Sequence, residues 1–300
     1  MLKIAYSPVY VLPLPPKHRF PMEKYELVPE QLLYEGTVTE ENFFIPAKIS
    51  REDLETTHSP EYIDRVLKKD LTKKEIRNIG YPMSQLLVDR ERIIMSGTYE
   101  CVTFAQKYGI AMNVSGGTHH AFRDRGGGFC IFNDVAITAN LLLQENPSRR
   151  ILILDLDVHQ GDGTASLMQD EPRVFTLSIH GANNYPVRKE ISDWDIPLED
   201  HMKDAEYLKV IEDTLRKLPK HFSPDFVLYI CGADVLESDR LGRLSLSVDG
   251  VRQRDKMVLN HFYDRNIPLV GSLGGGYSHR LADLVETHAN TFRIAANLVD

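Results

Sequence analysis

The stretch Arg150–Gly163, RILILDLDVHQGDG, begins as a bare apolar run and ends in acids, a histidine and glycines. Ile151 to Leu154 is unbroken hydrocarbon, and Asp155, Asp157 and His159 then take alternate positions. Side chains two residues apart in a strand point the same way. A strand over 151–157 would therefore send two carboxylates and an imidazole off one face, and Gly161 and Gly163 would end it. A buried strand that finishes in this way has the pattern of a metal site at the sheet edge of an α/β fold. The plainer alternative is a strand end that meets solvent.

Working outward, strand and helix patterns alternate on both sides of this stretch. Residues 110–114, 174–179, 226–231 and 268–273 read as strands, and 133–144, 204–218, 248–263 and 279–298 as helices. Nearer the start, 2–5 and 43–45 read as short strands and 22–34 as a helix. Ser50 and Ser59-Pro60 carry helix-start signatures. A long helix is expected over 84–108, with Leu86, Leu87, Ile93, Ile94, Tyr99 and Val102 on its apolar side. Prolines 8, 13, 15, 16 and 21 make the segment before residue 22 an irregular loop, carrying His18 and Arg19. Residues 180–199 also read as irregular. The order predicts a single α/β domain over 1–300, a parallel sheet covered by helices on both faces.

The chain has 300 residues, 42% of them apolar and 26% charged, enough for a core that needs no staples. A formal charge of -8 argues against direct nucleic-acid binding and against anionic membrane surfaces. Three scattered cysteines fit a reduced compartment. The N-terminus lacks a signal-peptide pattern and no apolar run is long enough for a membrane span, so the expected location is cytoplasmic.

Unusual residues cluster where strands end. His119 and His120 follow the strand at 110–114, Asp234 follows 226–231, and Gly274-Gly275-Gly276-Tyr277 follows 268–273. In an open parallel sheet these carboxyl ends share one crevice. Asp157, His159 and Asp234 make a three-ligand set suited to zinc, iron(II), cobalt or manganese. Taken singly, Asp234 reads equally well as a turn residue and His159 as a core or surface histidine. His119 and His120 each need a partner for one ring nitrogen, and Asp155 and Asp162 are the candidates. A histidine so held beside a metal site can serve as general base and then acid. Tyr277 can donate to a developing oxyanion. Cys130 has no activating neighbours in sequence and reads as structural.

Four segments in order, SGGTHHAFRDRGGGFCIFND, DLDVHQGDG, GADVLESDRLG and GGGY, resemble the zinc-dependent histone deacetylase family of the arginase/deacetylase fold. DRGGGFC, Gln160 and LSLSVDGVRQRD are most similar to class IV-like and bacterial members. The resemblance covers nearly the whole chain and implies a sheet of about eight strands. It implies Zn2+, with Fe2+ or Co2+ as alternatives, held by Asp157, His159 and Asp234. It implies His120 with Asp162 as acid and base, His119 with Asp155 as its electrostatic partner, and Tyr277 as the group that polarises the acyl carbonyl. Gly128 would face the leaving amine, Phe129 would wall the acyl-lysine tunnel, and Tyr185 and Leu241 would extend that wall. A structural K+ would sit on the backbone of Asp155, Asp157 and His159 and on Ser178. Arg19 would line an inner channel for the released acid.

The implied activity is removal of an acetyl or longer acyl group from an acyl-lysine of a peptide or protein. The alternatives are the same chemistry on a small acylated amine such as an acetylpolyamine, and a catalytically silent acyl-lysine binder. The chain departs from the family pattern at His159-Gln160, where many relatives have two histidines. It departs again in the loop HGANNYPVRKEISDW, and near Gly80-Tyr81-Pro82, where no acidic residue for the rim is evident. Oligomeric state, acyl length and native metal are not encoded in any of these motifs.

Overall fold

The computed structural model describes residues 1–299. Its strands are β1 (Lys3–Ala5), β2 (Phe43–Phe44), β3 (Ile110–Asn113), β4 (Ile151–Asp155), β5 (Val174–Gly181), β6 (Trp194–Leu198), β7 (Phe226–Ile230) and β8 (Leu269–Ser272). Its helices are α1 (Lys24–Tyr34), α2 (Arg51–Glu55), α3 (Pro60–Leu67), α4 (Lys73–Ile79), α5 (Gln85–Tyr108), α6 (Asp134–Glu145), α7 (Asp162–Met168), α8 (Asp204–His221), α9 (Val248–Tyr263) and α10 (Leu281–Val299). The strands form one sheet in the order β2-β1-β3-β8-β7-β4-β5-β6, and every pair is parallel. The expected α/β architecture of about eight strands is what the chain adopts. The last strand in sequence, β8, lies in the interior between β3 and β7.

The apolar runs explain why both faces must be covered. In β4, Ile151 and Ile153 pack with Phe226, Leu228 and the α6 residues Val135 and Leu142. Leu152 and Leu154 turn the other way, into the larger core with Val251, Val258 and Phe292 of α9 and α10. A parallel strand buried on both sides reads as continuous hydrocarbon for this reason. Helix α5 packs on β1, β3 and β8 and beside α6, while α8, α9, α10 and α1 pack in series. Serine caps at Ser50, Ser59, Ser84 and Ser247 each accept a backbone N–H in the first turn of their helices.

Several expectations need correction. Strand β4 stops at Asp155, so Asp157 and His159 are not strand residues. Side chains take over the backbone there: Asp155 Oδ1 accepts the Asp157 N–H at 3.1 Å and Asp157 Oδ1 accepts that of His159 at 3.0 Å. Gly163 does not break a strand but lies inside α7. The supposed loop 180–199 contains β6, an edge strand that carries Pro197 and pairs only with β5. Helix α4 was not anticipated, although Thr72 and Glu75 form a capping box at its start. Leu86 is 42% exposed and adds nothing to the apolar side of α5. Within the proline-rich loop, Pro8–Tyr10 forms a short 3-10 turn. All three cysteines are buried free thiols. Among the described residues no helix is long and apolar enough to cross a membrane.

Candidate active site

The carboxyl ends of β3, β4, β7 and β8 bring together residues that are up to 158 positions apart, His119 to Tyr277. Asp134, at the start of α6, organises the first of these loops. It accepts the backbone N–H of Gly117 and Thr118 and the hydroxyls of Thr98, Thr118 and Ser272. Gly117 has φ +70° and lies where any Cβ would strike the Gly274 backbone at 2.6 Å. Only glycine allows the two loops to approach so closely.

His119 and His120 leave this loop side by side. His119 Nδ1 pairs with Asp155 Oδ2 at 2.7 Å, and His120 Nδ1 donates to Asp162 Oδ1 at 2.6 Å. Their Nε2 atoms face each other at 3.1 Å, a distance that needs one proton between them. Burial alone would lower both pKa values. For His119 the charges of Asp155 and Asp157 outweigh burial and push it up to about 9. For His120, burial and the neighbouring His119 outweigh Asp162 and push it down to about 4. The two rings are therefore divided into a cation and a neutral base.

Asp157, His159 and Asp234 are all buried, and their donor atoms lie within 4.8 Å of one another. His159 Nδ1 sits 3.0 Å from Asp157 Oδ1 and 3.1 Å from Asp234 Oδ2. The outer oxygens are fixed by backbone: Val158 N–H donates to Asp234 Oδ1 and Gly275 N–H to Asp157 Oδ2. Burial and the nearby Asp157 carboxylate push Asp234 up to about 7. Burial would lower His159, but hydrogen bonds to Asp157 and Asp234 hold it up at about 10. Two buried carboxylates in one site create a demand for positive charge, which a divalent cation meets, and the mixed N,O donor set suits one.

Tyr277 closes the other side. Asp239 Oδ2 accepts its backbone N–H at 2.6 Å, and its ring packs on Phe20 and Phe129. Burial and the charges of Asp157 and Asp234 push its hydroxyl well above the usual range, so it stays protonated. A cavity of about 450 Å³ leads outward from His120, His159 and Tyr277 between Gly128, Phe129, Tyr185 and Leu241. Tyr185 is half-exposed, with its ring edge-on to His120 at 4.9 Å. Gly128 has φ +52°, and a Cβ there would meet His120 Cδ2 at 2.5 Å. Ser178 lies opposite Asp155 in the β4–β5 register and bonds His180 at 2.9 Å.

Every residue singled out in the sequence for catalysis, metal binding or the tunnel wall thus lies in or beside one pocket. Arg19 does not line an inner channel. His18 anchors the chain through Gly80 O at 2.9 Å and the Phe20 N–H at 3.2 Å. That turns Phe20 inward and leaves Arg19 exposed at the mouth, 5.0 Å from the Phe129 ring. The small space behind the site, about 30 Å³, is bordered instead by Arg90, Tyr25 and Tyr81. Sequence reading also missed Asp239, which accepts from Leu241, Gly242 and Tyr277. It missed Lys24 as well, fully buried, with Nζ 3.1 Å from Gly274 O and within 6 Å of the Tyr277 ring centre. Gln160 bonds the Glu190 backbone, in the loop before β6, and the Asp195 carboxylate, in β6, and so clamps that segment.

Comparison with known proteins gives the family and the fold. A family model described as the histone deacetylase domain matches residues 18–292. An uncharacterized protein of Picosynechococcus sp. is 40% identical over 98% of both chains. Histone deacetylase 2 of Arabidopsis thaliana is 30% identical over 89% of this chain and 72% of its own. The solved HDAC homolog from Aquifex aeolicus shares the fold, with a TM-score of 0.83 at 24% identity over 99% of this chain and 84% of that one. A match over almost the full length, joined to a buried Asp-His-Asp group and two histidine-aspartate pairs, means that this chain belongs to the histone deacetylase family, whose members are deacetylating hydrolases and generally depend on a metal.

Proposed function

We propose that the protein hydrolyses the amide of an acyl-lysine side chain, acetyl or longer, with zinc held by Asp157, His159 and Asp234. The observation that carries this reading is the pair of Nε2 atoms of His119 and His120 at 3.1 Å, beside the three converging donors. Iron(II) or cobalt suits the same donors. When bound, such a metal polarises the amide carbonyl and makes water nucleophilic near neutral pH.

The chain's own groups do the rest. His120, oriented by Asp162 and low in pKa, exchanges the hydrogen bond that its Nε2 accepts from His119 for one from the attacking water, takes a proton there and returns it to the departing amine. His119, held by Asp155, keeps a positive charge next to the developing negative one. Tyr277 donates its hydroxyl hydrogen to the oxyanion, a role that its raised pKa preserves. Gly128 and Phe129 accommodate the lysine stem, with the Gly128 carbonyl toward the amine, and Tyr185 and Leu241 continue the wall. The backbone carbonyls of Asp155, Asp157 and His159 and the Ser178 hydroxyl would hold a potassium ion, which would add positive charge beside the site.

His120→Ala and Tyr277→Phe test the assignment on an acetyl-lysine peptide. Each variant is expected to keep its circular dichroism spectrum and metal content and to lose about 100-fold or more in turnover. Near-normal hydrolysis by either would refute the roles given.

A further inference from the structure

The chain carries a net charge of -8, yet the opening of its candidate active site is cationic. No aspartate or glutamate lines the 450 Å³ cavity, whereas Arg19 and Arg125 both do. Each guanidinium is held by an aromatic face. Arg19 lies 5.0 Å from the centre of Phe129, and Arg125 lies 3.7 Å from that of Phe122. Stacking of this kind restrains the planar cation and leaves its N–H edge free for a carboxylate.

Neither charge is buried against a counter-charge: Arg19 has none, and Arg125 has a single surface pair among the described residues. Arg19 is exposed and has no ion-pair partner among the described residues. Arg125 meets only its neighbour Asp124, at 3.1 Å, with both side chains more than half exposed. Such surface pairs are weak. Asp239, behind the wall, is fully engaged by the three N–H groups already described. The next polar lining residue, Asn78, is uncharged.

We infer that the mouth selects by charge, favouring an acylated lysine flanked by aspartate or glutamate in a polypeptide. The inference rests on the acyl-lysine reading above and narrows it. An acylated polyamine is disfavoured, because its free ammonium would enter beside two guanidiniums, with only Asp124, already paired to Arg125, near enough to receive it. Arg19 and Arg125 are thus the specificity-determining residues, each able to take a flanking carboxylate through two parallel N–H bonds.

The test uses the metal-loaded protein and acetyl-lysine peptides that differ only in having Asp, Ala or Lys beside the acetylated residue, with an acetylated diamine as a further substrate. The Asp peptide should have the highest kcat/KM, by about two- to five-fold per arginine over the Ala peptide. The advantage should shrink as salt is raised from about 0.01 M to 1 M, as the Debye length falls from about 30 Å to 3 Å. Arg19→Glu with Arg125→Glu should reverse the order, with thermal melting confirming that both variants fold. Equal kcat/KM for the three peptides, or a preference for the Lys peptide or the diamine, overturns the inference while leaving acyl-lysine hydrolysis intact. Hydrolysis of none of them counts against the proposed function instead. In that case fluorescence anisotropy of the labelled peptides on Tyr277→Phe decides the charge question without turnover, tighter Asp-peptide binding supporting it and equal binding overturning it.

Discussion

Gly163→Ala sets two effects of known size against each other. Gly163 lies inside α7, where helix propensity alone favours alanine by about 0.8–1 kcal/mol. The surroundings say the opposite. A Cβ there would lie 2.4 Å from Ala121 O, 2.7 Å from Ala121 C and 2.7 Å from His119 O, all backbone atoms. Ordinary contact would require the 119–121 segment to retreat by about 1 Å. It cannot do so freely, because His119 O accepts the Thr164 N–H at 3.1 Å and Ala121 O accepts from Asn133 Nδ2 at 3.3 Å. Overpacking of this kind costs about 1–3 kcal/mol, so the substitution should be a net destabiliser by up to about 2 kcal/mol. The same displacement moves His119 and His120 relative to Asp155 and Asp162, and turnover should fall by at least about tenfold. Urea unfolding gives the first quantity and acetyl-lysine hydrolysis at fixed metal content the second. An unfolding midpoint at or above that of the parent would refute the packing argument.

Other consequences can be checked in parallel. His58 is buried, with Nδ1 on Phe122 O and Nε2 accepting the Asn133 N–H, and burial pushes its pKa down to about 4. The unfolded chain takes up this proton near pH 6.5 and the folded chain does not, so stability should drop by roughly 3 kcal/mol as pH falls from 6.5 to 4. His58→Gln should flatten that part of the curve, and a slope unchanged in the variant would exclude His58 as its source. Asp234→Asn should abolish the rise in melting temperature that zinc gives the chelator-treated parent, and metal analysis should show about one ion per parent chain and none in the variant. Two tightly held ions would contradict a single three-donor centre. Asp239→Ala leaves three backbone N–H groups without their acceptor and should cost about 2–4 kcal/mol, whereas Asp239→Asn, which keeps an acceptor for Leu241 and Gly242 but turns its amide nitrogen on the Tyr277 N–H, should recover only part of it in urea unfolding.

The sequence revealed most where chemistry and local pattern coincide. Unbroken apolar runs marked β4 and β7, and the histidines, acids and glycines after them marked the crevice. It revealed least where the outcome depends on a distant partner. β6 is a strand only because β5 lies beside it, and its proline and polar residues carry no alternation of their own. Arg19 and Phe20 are adjacent in sequence, yet one reaches solvent and the other the core, because His18 is tied to Gly80, 62 positions away. Lys24 looks like any helix-start lysine until Phe20, Tyr25 and Tyr277 surround it. The period-2 reading of Asp155, Asp157 and His159 reached the right residues for an incomplete reason, since side-chain caps rather than a ladder set the last two.

The interior position of β8 has a consequence for how the molecule is made. Within the sheet, β8 alone bridges the half that carries His119 and His120 and the half that carries Asp157, His159 and Asp234. During synthesis each half can collapse early, but their joining must wait until residues 269–272 have emerged. Until then two strand edges, those of β3 and β7, stand open to wrong partners. Loss of the residues from 269 onward would thus remove the middle of the sheet, not an end. The Gly275 N–H that fixes Asp157 Oδ2 also arrives only after β8, so the buried acid cluster is fully held only once that strand is in place.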